Sequence, residues 1–101
     1  MNKYRNVKTE VDGISFASKA EAARYLELKL LLRAGKISNL EMQPRFRIEV
    51  NGFPICTYIG DFQYVENGKT IIFDTKGMKT AVYRLKKKLM FAVHGIEVME
   101  G

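Results

Sequence analysis

The segment IGDFQYVENGKTIIFDTK, residues 59–76, decides the fold because it predicts a β-hairpin with an acidic residue on each strand. Asn67-Gly68 favours a two-residue turn, since both residues tolerate the positive φ angles of a type I′ turn. Counting back from this turn, if no bulge intervenes, places Asp61 directly opposite Asp74. Side chains alternate along a strand, so Asp74 and Lys76 share one face and Asp61 joins them there.

The facing pair of Asp61 and Asp74 is costly unless something neutralises it, because like charges placed opposite one another destabilise a sheet. A hard divalent cation such as Mg²⁺ takes oxygen ligands and would remove the repulsion. The alternative is that Lys76 neutralises Asp74 as a surface ion pair, while Asp61 is a solvated acid near a turn. We favour the metal site.

Turn and cap signals predict the remaining elements. Asp12-Gly13 predicts a short N-terminal hairpin, and Ser18 to Glu21 forms a capping box for a helix that reaches about Ala34. The further predictions are strands at 40–50, 55–65 and 69–75, a helix at 78–93 and a last strand at 96–99. The order αβββαβ after the hairpin predicts an α/β fold, of the α+β type with a mixed sheet. It also predicts a single domain over residues 1–101.

Glu21 is a third candidate acid. It heads a stripe of the first helix that continues through Tyr25, Leu28 and Leu32, so it belongs to a face that packs inward. The alternative is a capping role alone, in which the Glu21 side chain reaches back to the backbone of Ser18. A second apolar stripe, made of Ala22, Ala23, Leu26 and Leu30, predicts that the hairpin or a second subunit covers this helix.

Composition narrows the possible partners and chemistry. The chain has 17 Lys and Arg against 11 Asp and Glu, a net charge of +6 that favours a polyanion such as nucleic acid over a neutral partner. The single cysteine excludes an internal disulfide and a cysteine-rich metal site, and the single histidine excludes a paired-histidine zinc site. No apolar run approaches the roughly 20 residues of a membrane helix. These features predict a cytoplasmic protein with no membrane partner, in the bacterial host if the gene is carried by a phage.

The second predicted helix is strongly basic. Its predicted core stripe is Met78, Val82, Leu85 and Leu89. Lys79 and Lys86 lie seven residues apart on one flank, which predicts contacts with neighbouring phosphates. Arg84 and Lys88 lie towards the other side, as further candidates for DNA binding, and Lys87 is predicted to be solvated.

Five pieces of the chain carry a resemblance to a known family. They are, in order, VDG at 11–13, SKAE at 18–21, QPRF at 43–46, DF at 61–62 and DTKG at 74–77. Together they resemble the PD-(D/E)XK nuclease superfamily, whose core has the order αβββαβ. More closely, they are similar to small phage-encoded proteins described as candidate endonucleases and related to Holliday-junction resolvases. The resemblance covers nearly the whole chain, although Gly60 replaces the usual proline and Asp74 stands where glutamate is also common.

The resemblance implies a Mg²⁺-dependent endodeoxyribonuclease, with Mn²⁺ as a substitute, that cuts branched or duplex DNA and that forms a homodimer if it resolves junctions. Asp61, Asp74 and the Thr75 carbonyl would bind metal, with Glu21 as a further ligand. Lys76 would orient the attacking water or neutralise charge on the phosphate, and Gln43 would position a water or a phosphate. The main alternative is a non-catalytic nucleic-acid-binding protein that keeps this fold, and a structural interaction module is a third.

Overall fold

The computed structural model describes residues 8–75 and 78–101 as an α+β protein with two helices and mixed sheets. The chain divides into two compact units, one ending at Lys36 and the other spanning Ile37–Gly101. Within the described ranges, neither helix has the length and apolar character needed to span a membrane.

The N-terminal unit contains the predicted hairpin and first helix. Strands β1 (Thr9–Val11) and β2 (Ile14–Phe16) pair antiparallel, followed by helix α1 (Lys19–Arg33). Asp12 and Gly13 have φ angles of 53° and 75°, as a type I′ turn requires. The Ser18 hydroxyl accepts a hydrogen bond from the backbone N–H of Glu21 at 3.1 Å, which confirms the predicted N-cap.

The inward stripe of α1 is also confirmed. Glu21, Tyr25 and Leu28 are all buried. The Tyr25 ring lies 5.0 Å from that of Phe16, and its hydroxyl donates to Asp12 Oδ2 at 3.1 Å. The second stripe is covered only in part, since Ala22 is buried while Ala23, Leu26 and Leu30 are exposed. The hairpin therefore does not cover it as a whole.

The C-terminal unit is built around a four-stranded sheet. Its elements are β3 (Ser38–Met42), β4 (Arg45–Val50), β5 (Phe53–Ile59), β6 (Phe62–Glu66), β7 (Lys69–Asp74), α2 (Ala81–His94) and β8 (Val98–Glu100). The sheet has the order β3-β6-β7-β8, and β4 and β5 form a separate hairpin. Strand β8 runs parallel to β7, because α2 carries the chain back across the sheet.

The two long strands predicted at 40–50 and 55–65 are each divided in two, so that part of the prediction is wrong. Gln43 adopts a φ of 52°, and Pro44 follows it. Two backbone hydrogen bonds bridge the bend, from Gln43 N to Asp61 O at 2.9 Å and from Gly60 N to Pro44 O at 3.0 Å. A Cβ atom on Gly60 would lie 2.9 Å from Cγ2 of Ile72, so glycine permits the close approach at which both strands turn.

Hairpin β6–β7 follows the predicted register from Glu66 with Lys69 back to Gln63 with Ile72. The core of the unit is formed by α2, the β4–β5 hairpin and strands β7 and β8. Its buried members are Ile48, Tyr58, Ile72, Tyr83, Met90 and Val98.

The predicted core stripe of α2 is wrong for three of its four members, since Met78, Val82 and Leu85 are each more than half exposed. Leu89 packs against the core as predicted, and the helix buries Tyr83 and Met90. Tyr83 and Met90 are seven residues apart, which places them on one face. The aliphatic spacing did not predict this face, because one of its two buried residues is a tyrosine, which also carries a polar hydroxyl. Its hydroxyl finds a carboxylate partner in Glu100, so the whole ring is buried without leaving a polar group unsatisfied.

Candidate active site

Asp61 lies at the bend immediately before β6, next to the end of β7. Its N–H donates to the carbonyl of Phe73 at 3.1 Å. Its Oδ2 accepts hydrogen bonds from both the N–H and the Oγ1 of Thr75, each at 2.7 Å. Asp61 therefore fixes the backbone on both sides of Asp74, at residue 73 and at residue 75.

The predicted ladder pair of Asp61 with Asp74 does not form. The ladder ends one pair earlier, at Phe62 with Phe73. The physical reason is that the Asp61 carboxylate takes the two donors of Thr75. Charge-assisted hydrogen bonds of this kind are about twice as strong as neutral ones.

Asp74 is the last residue of β7, and its side chain is completely buried. Its Oδ2 accepts a hydrogen bond from the hydroxyl of Tyr58 on β5. Burial raises the pKa of Tyr58 well above the usual tyrosine range, and the bond to Asp74 and the nearby charge of Asp61 raise it further. The Tyr58 hydroxyl thus stays protonated and serves as a permanent donor that orients Asp74.

Glu100 is an acid that the sequence analysis missed. It is the register partner of Asp74 across the parallel pair β7–β8. Its Oε2 accepts from the Tyr83 hydroxyl at 2.7 Å, and its Oε1 lies 3.2 Å from Lys79 Nζ and 3.4 Å from Lys87 Nζ. The hydrogen bond from Tyr83, more than any other contact, lowers the pKa of Glu100. A parallel βαβ crossover aligns strand ends, so the βαβ signal could have indicated this acid.

A cleft of about 370 Å³ opens between β5 and the start of α2. Its lining residues are Thr57, Tyr58, Ile59, Met78, Thr80, Val82, Tyr83 and Lys86. Tyr58 and Tyr83 form part of this wall, and their hydroxyls lead to Asp74 and Glu100 respectively. Lys86 also lines the cleft and donates to the Thr57 carbonyl at 2.9 Å. We call this the tyrosine cleft.

The basic residues of α2 do not follow the predicted arrangement. Lys79 precedes the helix, which begins at Ala81, so helical spacing does not apply to it. It turns to Glu100, whereas Lys86 lines the tyrosine cleft, so the two lysines do not share a flank. Lys87, predicted to be solvated, contacts the same Glu100 carboxylate as Lys79. Arg84 and Lys88 line a groove with Lys79 and Lys87.

The other predicted site residues have different outcomes. The backbone N–H of Gln43 contacts the carbonyl of Asp61, so the bend brings these two residues together. Lys76 lies outside the described residues. Glu21 belongs to the N-terminal unit, described above by itself, and its role as a ligand stays a prediction, as does that of the Thr75 carbonyl.

The donor atoms at the end of β7 suit a hard cation. In residues 8–75 and 78–101, no group of three or more acidic, histidine or cysteine side chains is placed to hold a metal ion. Mg²⁺ needs fewer protein ligands than that, since one or two carboxylates commonly bind it together with waters and substrate phosphates. Asp61 and Asp74 supply two carboxylates, so the type of donor atom present fits Mg²⁺.

Comparison with known proteins gives the family of the chain. Residues 1–99 match the family model described as Protein of unknown function (DUF1064), and the chain belongs to this family. The comparisons with curated proteins and with solved structures find no match.

Proposed function

We propose that this protein is a Mg²⁺-dependent endonuclease that hydrolyses DNA phosphodiesters, with a preference for branched DNA. The observation that carries the proposal is the pair Asp61 and Asp74. They lie at adjoining strand ends, and each is held by its own hydrogen-bond donor. Acids oriented in this way are typical of a preorganised metal site, in which hydrogen bonds from neighbouring groups fix the orientation of the ligands.

The order of elements supports the same proposal. Helix α1 is followed by β3, β6 and β7 of the four-stranded sheet, then by α2 and β8. With the β4–β5 hairpin treated as an insertion, this order is αβββαβ. It is the order that the resemblance to PD-(D/E)XK nucleases implies, and the sheet is mixed as expected.

Each residue of the proposed site has a definite role. Tyr58 orients Asp74, while Thr75 orients Asp61 and lies next to Lys76 in the chain. Lys76 supplies a cation for the charge that develops on the reacting phosphate. A bound Mg²⁺ would lower the pKa of a water and polarise the phosphodiester. Glu21 belongs to the proposal as a further ligand.

The second candidate function is nucleic-acid binding without cleavage. One observation favours it: the Asp61 carboxylate makes two hydrogen bonds to Thr75 and already has a structural role there. A carboxylate has four lone-pair sites, so these bonds do not prevent it from binding a metal as well.

A cleavage assay separates the two functions. The full chain is incubated with a four-way junction, a flap, a nicked duplex and an intact duplex, each with Mg²⁺, Mn²⁺, Ca²⁺ or EDTA. We expect cutting with Mg²⁺ and Mn²⁺, fastest on the branched DNAs, and binding without rapid cutting in Ca²⁺. Binding to every DNA with no cutting under any metal would instead establish the second function.

Homodimerisation is part of the proposal, because a symmetric dimer can cut both strands of a junction. The exposed Leu26 and Leu30 on α1 offer an apolar surface for it. Light scattering of the full chain, with and without junction DNA, should give the mass of a dimer. The variant Leu26→Asp/Leu30→Asp should give that of a monomer.

A further inference from the structure

Helix α2 and strand β8 enclose a groove of about 610 Å³ that the proposed chemistry does not use. Four cationic residues line it: Lys79, Arg84, Lys87 and Lys88. Glu97 and Glu100 contribute two carboxylates, which leaves a net charge of two positive. We call this surface the basic groove.

The positive charge of the basic groove is unevenly neutralised. Glu100 contacts both Lys79 and Lys87. Arg84 and Lys88 make no ion pair within residues 8–75 and 78–101. They lie four residues apart and so face the same side of α2. These two cations are therefore the ones available to phosphates.

Phe91 lies next along this face, three residues after Lys88, and it also lines the basic groove. Its side chain is 59% exposed, although it is a large apolar ring on a helix with a buried face elsewhere. An exposed aromatic ring beside unpaired cations is the arrangement by which proteins bind single-stranded nucleic acid. The cations contact the backbone and a base stacks on the ring.

We propose that the basic groove binds a single-stranded segment of nucleic acid, with phosphates on Arg84 and Lys88 and a base stacked on Phe91. Except at its two ends, a duplex keeps its bases stacked on one another, so its interior cannot offer a base face to Phe91 without unpairing. One of the residues that line the groove is Glu100, the register partner of Asp74. The inference deepens the proposed function, on which it rests, by naming unpaired DNA next to the cut as the preferred substrate.

The test measures binding alone, in EDTA, on a chain that also carries Asp74→Asn so that cleavage cannot interfere. Fluorescence anisotropy gives the Kd for a 12-nucleotide oligo(dT) and for a blunt 12-base-pair duplex. Phe91→Leu should weaken oligo(dT) binding about tenfold, since it removes the ring on which one base stacks. Duplex binding should change less than twofold, and Phe91→Trp should retain binding to oligo(dT).

Phe53 provides the matched control, because it is 71% exposed on β5, away from the groove. Phe53→Leu should leave both Kd values unchanged. Equal losses of single-strand and duplex binding in Phe91→Leu would overturn the inference, and so would an unchanged Kd for oligo(dT). Binding of poly-glutamate as tight as that of oligo(dT) would also overturn it, because it would show attraction to charge alone. All these outcomes concern binding, so they are independent of whether the protein cuts DNA.

Discussion

The two flanks of α2 border surfaces of opposite character. On one flank, the tyrosine cleft leads to carboxylates that are buried or firmly hydrogen-bonded, such as Asp74 under Tyr58. On the other flank, the basic groove is open and Arg84 and Phe91 are exposed. Breaking a buried polar contact costs much free energy, whereas each exposed charge contributes little and several must act together. We therefore expect substitutions in the cleft to affect the chemistry sharply and those in the groove to affect binding gradually.

The largest effect is expected at the end of β7. Lys76→Ala and Asp61→Ala should each lower the single-turnover rate of DNA cleavage by at least about a hundredfold, because the proposed function uses both charges in the reaction. Lys69→Ala, an exposed lysine on the same hairpin, is the control and should cut normally. Circular dichroism should show that all three proteins are folded. Normal cleavage by Lys76→Ala would contradict the role proposed for this lysine.

A smaller effect is expected for Tyr58→Phe, because Tyr58 positions Asp74 and need not touch DNA. Loss of an outer-shell partner of a metal ligand typically costs about 10–100-fold in activity or metal affinity. We expect kcat to fall and the Mg²⁺ concentration needed for half-maximal activity to rise, with KM for DNA almost unchanged. Tyr64→Phe, at another buried tyrosine of the same unit, should change neither quantity. A change in KM alone would show that Tyr58 contacts the substrate instead.

On the groove side, the double variant Arg84→Gln/Lys88→Gln tests whether the charges act in sum. For single-stranded DNA the slope of log K against log salt should fall by about 1.4, near 0.7 for each lost phosphate contact. The single-turnover rate with saturating DNA should remain unchanged. Arg33→Gln/Lys36→Gln removes two exposed charges from the N-terminal unit and should keep the parental slope. A slope unchanged in the first variant would exclude phosphate contacts at this groove.

The smallest effect concerns stability and involves Glu100, which lies between the two surfaces. Its pKa is lowered in the folded protein, chiefly by the hydrogen bond from Tyr83 and also by Lys79 and Lys87. A lowered pKa contributes stability that is present above the unfolded value, near 4.5, and is lost as pH falls through the folded value. As pH falls below 4.5, the free energy of unfolding should therefore decrease less in Glu100→Gln than in the parent chain, with a difference of less than about 1 kcal/mol. Urea titrations between pH 3 and pH 7 measure it. An unchanged profile would show that Glu100 contributes nothing to acid stability.

The sequence predicts local elements well where a single signal dominates. The Asp12-Gly13 turn, the Ser18 cap and the register of β6–β7 follow from turn and cap chemistry that involves only a few neighbouring residues. The bends at Pro44 and Gly60 were not predicted, because they depend on contacts between strands far apart in sequence, such as that of Gly60 with Ile72. A local pattern contains no information on such contacts.

The candidate site was predicted in part for a similar reason. Hairpin counting from the short turn predicts the register as far as Phe62 with Phe73, and the predicted pair of Asp61 with Asp74 is wrong because the ladder ends there. The hydrogen bonds of Asp61 with Thr75 and of Asp74 with Tyr58 depend on the orientation of side chains at the end of the β6–β7 hairpin. The alternation of side chains along a strand does not specify that orientation. Glu100 was missed because only the parallel pairing with β7 brings it beside Asp74.

The most direct test compares the full chain with Asp74→Asn in one cleavage experiment on a four-way junction, with Mg²⁺ and with EDTA. Asparagine keeps the size of the side chain and removes its charge. We predict rapid cutting by the parent chain in Mg²⁺ and none in EDTA, and no cutting by Asp74→Asn in either condition, although it still binds the junction. Equal cutting by the two proteins, or cutting by the parent chain in EDTA, would contradict the assignment of this site as a metal-dependent nuclease centre.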